Sequence, residues 1–497
     1  ALKLSALKRL KTTYNYNKRQ SDQVLDMSKN SPRTLVQKIF DAHLIKAQSG
    51  ASLVQVDRMY MDESSYLCFD TLRAARLNVK TPGNMYVMVS HLAPTYEREK
   101  GPTDPEIKWI FEKLEDVSER FDVHVLRYDD SRQGIYHVVG PEQGITLPGM
   151  LMAGTDSHMT THGALGALTF SVGYDEAVHV LVSDTLWVYE FEVLNLRLDG
   201  HLPSGVGAKD LALYAVSSLG ASGASNCIVE ITGETLLSLP PAGRMTLCNL
   251  MVEAGARGAV MPVDDITLDY VTRRPGAPKG AKLDKALSWW KELVPDRGAR
   301  YDRSLCIDVS EVEPTVSWGT TTAQVAAIGG HVPDPAQAEN GKIAKACSDA
   351  LNYMALTPGH PIAGIPIDQV FIGSCTNGRI EDLREAAAVL QGRKAVVPGL
   401  VTPGSTPVRL QAEQEGLHRV FLDAGLAWGE AGCSMCFGHH DAIVSPGNRC
   451  ASTTNRSFPG RQGPNARTHL MSPAMAAAAA VTGCITDYRS LMSREEN

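Results

Sequence analysis

Nowhere in the 497 residues is there an apolar run of about 18, so the sequence offers no helical membrane span. The longest small-residue run, "AMAAAAAV" (474–481), is far shorter and reads as a buried helix. A basic surplus is missing too: 48 Lys and Arg face 55 Asp and Glu, for a net charge of −7. That balance argues against nucleic acid as the main partner, because phosphate backbones select basic faces. It leaves room for a local basic pocket that binds a small anion. There is one C-x-x-C pair and no second, which removes a zinc ribbon. Internal repeats and heptads are absent, and "SGVGAKD" (204–210) is Gly-rich without phosphate-loop spacing. The first 20 residues contain six Lys or Arg and no acid, the composition of a transit peptide or of a solvated basic arm.

What is present describes a large folded enzyme-sized chain. Hydrophobic content of 43% and charged content of 21% are those of globular proteins, and the length suits two to four domains. The ten cysteines are scattered through the chain, which points to a reducing compartment with most of them as core thiols. From Thr34 the pattern turns globular. "TLVQKIFDAHLI" has helical spacing and "SLVQVDRMYM" alternates as one strand. Apolar strands then alternate with Gly-rich turns and helices: a strand to Ala153 with a helix from about Thr161, and a strand Val370–Ile372 with a helix from Arg379. This alternation predicts α/β layers with mostly parallel sheets, whose sites form at the carboxyl ends of strands. "TRRPGAPKGAKLDKA" (272–286) reads as a linker or surface excursion.

Three stretches carry chemistry. Cys433 and Cys436 in "GCSMCFG" are open to zinc, redox and iron–sulfur roles. Cys375, in "IGSCTNGR", sits at a strand-to-helix turn whose backbone N–H groups would favour a thiolate. Three thiolates on tight turns can hold a cubane cluster with one iron free of protein, the open position a Lewis acid needs. Each cysteine alone reads equally as a core thiol, and Cys450 and Cys484 keep that reading. "TDSHMTTHG" places Asp156, Ser157, His158 and His162 at a turn, with His137 upstream. Asn249 and Glu253 are spaced i, i+4 for one helix face. In "NRSFPGR", Asn455, Arg456 and Arg461 shape a loop suited to carboxylates. The adjacent His439 and His440 fit no role beyond a loop.

Together, "QGIYHVVGPEQG", "GTDSHMTTHGALGAL", "CNLMVEAGARG", "VFIGSCTNGRIEDLR", "GCSMC" and "RCASTTNRSFPGRQGPNARTHLMSPAMAAAAAVTG" resemble the aconitase superfamily, most closely the large subunit of 3-isopropylmalate dehydratase. The resemblance spans roughly residues 34 to 490. It implies a three-domain α/β/α architecture (31–205, 206–325 and 326–497 after an arm at 1–30) without the family's fourth, swivelling domain. It implies a 4Fe–4S cluster on Cys375, Cys433 and Cys436 with one iron not ligated by protein. Catalytic roles fall to His91, His137, Asp156, His158 and Glu253, with His137 paired to Asp156 and His158 to Glu253. Ser157, Asn249, Asn455, Arg456 and Arg461 would hold substrate. The implied activity is dehydration and rehydration of a hydroxy di- or tricarboxylic acid, completed by a small subunit that carries the swivel domain. The location would be the mitochondrial matrix if the arm is a transit peptide, and otherwise the cytoplasm.

Two positions depart from the family's pattern. Where the family has an Asp–His pair, "MVSHLAPT" has Ser90 before His91, and serine can orient an imidazole without stabilising its charge. In "DRMYMDESSY", Asp62 replaces a neutral or His group and would repel a dicarboxylate. These departures also fit a second expectation, a catalytically impaired member serving as a structural or regulatory subunit of a larger assembly.

Overall fold

The computed structural model describes residues 31–438 and 442–493, so the basic arm, His439 and His440 lie outside the described residues. Three parallel sheets carry the structure, as the alternation of strands and helices predicts. The first runs His124–Leu126, Met85–Met88, Arg58–Met61, Leu151–Gly154, Leu168–Ser171. The second runs Gly258–Val260, Cys227–Thr232, Glu192–Asp199, Arg303–Asp308. Its Glu192–Asp199 strand precedes residue 206, where the resemblance starts a second domain. The third runs Ala427–Trp428, Gly399–Val401, Gln369–Ile372, Arg449–Ser452, Arg467–Leu470. Two small antiparallel sheets flank them. The strand Leu151–Gly154 is buried at every residue, which is why it reads as a short apolar run without alternation.

The first two sheets share one continuous apolar core that also takes in Leu470, while the third builds its own around Val370, Ile372, Leu383 and Ala474–Ala480, joined by Ile135 and Val138. The helix Leu35–His43 joins the first core through Leu35, Val36 and Ile39, and Thr34 and Gln37 close a reciprocal capping box at its start. The alanine run is the buried helix Pro473–Thr482, begun by proline and ended by Gly483 in the left-handed region.

Three local expectations change. "SLVQVDRMYM" is two strands, Ala51–Gln55 and Arg58–Met61, because the chain leaves an antiparallel sheet at Val56 and enters the parallel one. The helix expected from Thr161 begins at Ser157 and is a tight 3₁₀ run to Leu165, started by the Asp156 carboxylate accepting the His158 N–H. Gly163 lets it lie against the second sheet, since a Cβ there would stand 1.8 Å from the Ala259 carbonyl oxygen. Residues 272–286 are partly anchored: the Gly276 N–H bonds the Gln143 carbonyl, Ala277 is buried, and a helix resumes at Ala281.

Candidate active site

The loops that leave the carboxyl ends of these strands converge between the two cores. From the first sheet come Asp62 and Glu63 after Arg58–Met61, Ser90 and His91 after Met85–Met88, and Asp156–His158 after Leu151–Gly154. From the third come Cys375, Cys433, Cys436, Asn455 and Arg456. Asn249 closes the helix Pro241–Leu250 and Glu253 lies in the 3₁₀ turn Met251–Ala254, so the two share a site without sharing one α-helix.

The three cysteines are buried and free of disulfides. Each is set on a strained turn: Ser374 (φ 82°) and Ser434 (φ 46°) adopt left-handed backbone, which costs a non-glycine residue of order 1 kcal/mol. The donors around Cys375 differ from the expectation. Instead of backbone N–H groups, the side-chain amides of Asn249 and Asn455 each approach its Sγ at 3.2 Å. Burial, with Cys436, Asp156 and Cys433 nearby, pushes the Cys375 thiol up to about 12, and burial also raises Cys433 against the pull of His91. Among the described residues, no three His, Cys, Asp or Glu side chains are arranged to grip a single metal ion. The donor chemistry nevertheless fits thiolate ligation to a cluster: soft sulfur ligands on separate turns, with amide N–H groups aimed at sulfur.

Beside the thiols lies a cluster of histidines and acids. Asp156 Oδ1 is 3.1 Å from His137 Nε2 and 2.6 Å from the His158 backbone nitrogen, and its Oδ2 is 3.6 Å from His91 Nε2. Burial opposes its charge, but the contacts to His137, His158 and His91 hold its pKa well below the usual carboxylate range. His158 Nε2 is 3.2 Å from Glu253 Oε1. Glu253 also takes Arg456 Nε at 2.8 Å and the Thr322 hydroxyl at 3.1 Å. Those partners outweigh burial and bring Glu253 down to about 2. Arg456 reaches on to Ser157 Oγ at 3.2 Å. Both pairings implied by the resemblance are therefore in contact.

Arg461 lies across the rings of Phe437 and Phe458, at 5.2 and 5.6 Å, and its Nε has no hydrogen-bond partner among the described residues. It is a cation held against aromatic faces, and the Phe437 ring in turn stands edge-on to His91 at 5.2 Å between centroids. A cavity of about 440 Å³ opens beside His91 and Ser434 and runs past Pro94, Lys100 and Ile107.

The two departures take on specific geometry. Ser90 does not orient His91; its Oγ faces Cys433 Sγ at 3.8 Å. The carboxylate beside His91 Nδ1 is Glu63, at 3.6 Å. Glu63 is buried and fixed by the backbone N–H groups of Ser90 and Leu92. Burial lowers the affinity of His91 for a proton, yet Cys433, Asp156 and Glu63 hold its pKa well above that of a free imidazole. Asp62 turns to cap its own 3₁₀ turn, accepting the Ser64 N–H at 2.8 Å and facing Thr155 Oγ1 at 3.4 Å.

Sequence reading passed over Glu63 and Lys209. Lys209, in the dismissed "SGVGAKD", is buried and donates to the carbonyls of Thr453 and Thr454 at 2.8 and 2.7 Å, just before Asn455. Burial drops its pKa to about 7 despite Asp382 and the Cys375 and Cys436 thiols. A Lys–Asp pair at the start of an otherwise largely apolar helix was the available signal.

The family model described as "Aconitase family (aconitate hydratase)" matches residues 37–483. Among solved structures, aconitase X of Thermococcus kodakaraensis in its holo-form is similar over 88% of this chain and 93% of that one. That likeness, at 11% identity and a TM-score of 0.42, is too distant to carry an argument.

Proposed function

The chain belongs to the aconitase family, and from that premise we propose that it is the large subunit of an iron–sulfur hydro-lyase that isomerises a hydroxy di- or tricarboxylic acid of the 3-isopropylmalate kind. A small subunit carrying the swivel domain completes it. The observation that supports this most is the meeting, at one place, of three buried cysteines with a histidine–carboxylate cluster and an aromatic-held arginine. Cys375, Cys433 and Cys436 would hold a 4Fe–4S cluster, which when bound supplies Lewis-acid activation of the substrate's hydroxyl and carboxylate.

The remaining work falls to the chain's own residues. Arg461 and Arg456 bind carboxylates, with Asn455 and Ser157 orienting the acid. His91, set between Glu63 and Asp156, holds the proton that leaves with the substrate hydroxyl. Its two carboxylates stabilise the imidazolium, the task that an adjacent Asp performs in the family's motif. The thiols are buried and a cavity opens beside His91 and Ser434, which suits entry of a small acid.

The test is reconstitution of the chain with iron and sulfide, with and without a small subunit, followed by enoate absorbance over a panel of hydroxy acids. Turnover that needs both components supports the proposal. A stable cluster with no turnover on any acid overturns it in favour of a structural subunit. Within that assay Glu63→Gln should lower kcat roughly ten- to hundredfold, and Ser90→Asp should restore most of it by supplying the missing charge from the other side. Equal losses in Glu63→Gln and the double variant would show that Glu63 only supports the loop.

A further inference from the structure

One buried hydrogen-bond line runs away from the site into the first sheet. Asp156 Oδ1 meets His137 Nε2 at 3.1 Å, and His137 Nδ1 meets His162 Nε2 at 3.2 Å. His162 Nδ1 meets Thr146 Oγ1 at 3.0 Å, and Thr146 Oγ1 meets the Tyr60 hydroxyl at 2.9 Å. Tyr60, Thr146, His137 and His162 are all buried, and the Tyr60 ring stands edge-on to His162 at 5.1 Å between centroids.

The order of donors along this line is fixed from both ends. A phenol has one proton to give, and among the described residues Thr146 is the Tyr60 hydroxyl's hydrogen-bond partner, so the proton points there. The Thr146 hydroxyl accepts from Tyr60, and among the described residues its own buried proton finds its acceptor in His162 Nδ1. His162 must then carry its proton on Nε2, which donates to His137 Nδ1. That leaves the His137 proton on Nε2, aimed at Asp156. From the other end, an ionised Asp156 only accepts, which demands the same Nε2–H on His137. The two derivations agree, and both imidazoles come out neutral.

We propose that His162, backed by Thr146 and Tyr60, is the positioning residue that locks His137 as a neutral Nε2–H donor to Asp156, so that His137 orients this carboxylate without exchanging a proton with it. Burial disfavours a charged ring at both positions, in keeping with this: His137 is lowered and His162 is well below an ordinary histidine. A line that reversed would make His137 a buried cation and leave the Tyr60 proton without an acceptor. The catalytic consequence rests on the hydro-lyase reading above, whereas the tautomers do not.

Two measurements separate the cases. In the full chain with ring-¹⁵N histidine, assigned through His137→Asn and His162→Asn, both rings should show a protonated Nε2 and a bare Nδ1. A proton on Nδ1 of either ring at neutral pH overturns the inference. In the hydro-lyase assay, Thr146→Val removes the hydroxyl at constant volume, and Thr146→Ser keeps it while losing a methyl. Thr146→Val should lose the single His162 tautomer and lower kcat roughly ten- to hundredfold at unchanged KM, with Thr146→Ser near wild type. A packing role gives the opposite order and overturns the proposal. If the wild type turns over no hydroxy acid, the hydro-lyase reading fails and the tautomers still decide this one.

Discussion

Replacing Asp156 by asparagine should lower turnover about a thousandfold or more with little change in KM, by analogy with loss of an orienting carboxylate in other histidine-dependent enzymes. The side chain is the junction of the cluster: it accepts from His137 at 3.1 Å and from the His158 backbone at 2.6 Å, and it faces His91 at 3.6 Å. Asparagine preserves shape and one acceptor oxygen, so the 3₁₀ start at Ser157 should survive. What it removes is one of the charges that raise the proton affinity of His91, and it sets an amide N–H against an imidazole. The readout is enoate absorbance for rate, with iron content and thermal stability as controls. Near wild-type turnover in a properly loaded Asp156→Asn protein would mean that Glu63 alone sustains His91 and that the central place given to Asp156 is wrong.

The second large effect is at Cys375, where serine and alanine should part company. Serine keeps an acceptor for the Asn249 and Asn455 amides, now 3.2 Å from sulfur. It is a hard oxygen ligand in place of a soft thiolate. Cys375→Ser should therefore fold like wild type and lose most of its sulfur-to-iron charge-transfer absorbance, acid-labile sulfide and turnover. Cys375→Ala loses the same signals and leaves two buried amide donors unsatisfied, a cost of about 1–3 kcal/mol each, so its melting temperature should fall below that of the serine variant. Unchanged iron and sulfide in both variants would remove Cys375 from the ligand set.

Sequence spacing carried the strand-end motifs because each is local. The acid, hydroxyl and histidines of 156–162 fall on one turn, and Cys433 and Cys436 fall on another. The burial of 474–480 was equally legible, since seven consecutive apolar residues leave no polar face. The contacts that settle the departures at Ser90 and Asp62 were not legible. Glu63 meets His91 from 28 positions away through a strand crossing, and "DESS" has no periodicity that would single out its glutamate. Lys209 finds its carbonyls 244 and 245 residues downstream. Thr146 and Tyr60 look like ordinary core residues until the line through His162 connects them. The division of "SLVQVDRMYM" failed for a related reason, because the change of sheet at Val56 is decided by strands at 151–154 and 185–189.

The separateness of the third core also bears on how the site is completed. All three thiols hang from that one body, whereas the histidines, Asp156, Glu253 and Asn249 arrive from the other. The site is therefore complete only once the two bodies are docked. Docking of the other body roofs the thiols with Asn249, and Lys209 latches Thr453 and Thr454. One buried lysine thus ties the segment that carries Asn455 to the body that carries the histidines, so the alignment of the two halves of the site hangs on a contact that touches neither thiol nor imidazole.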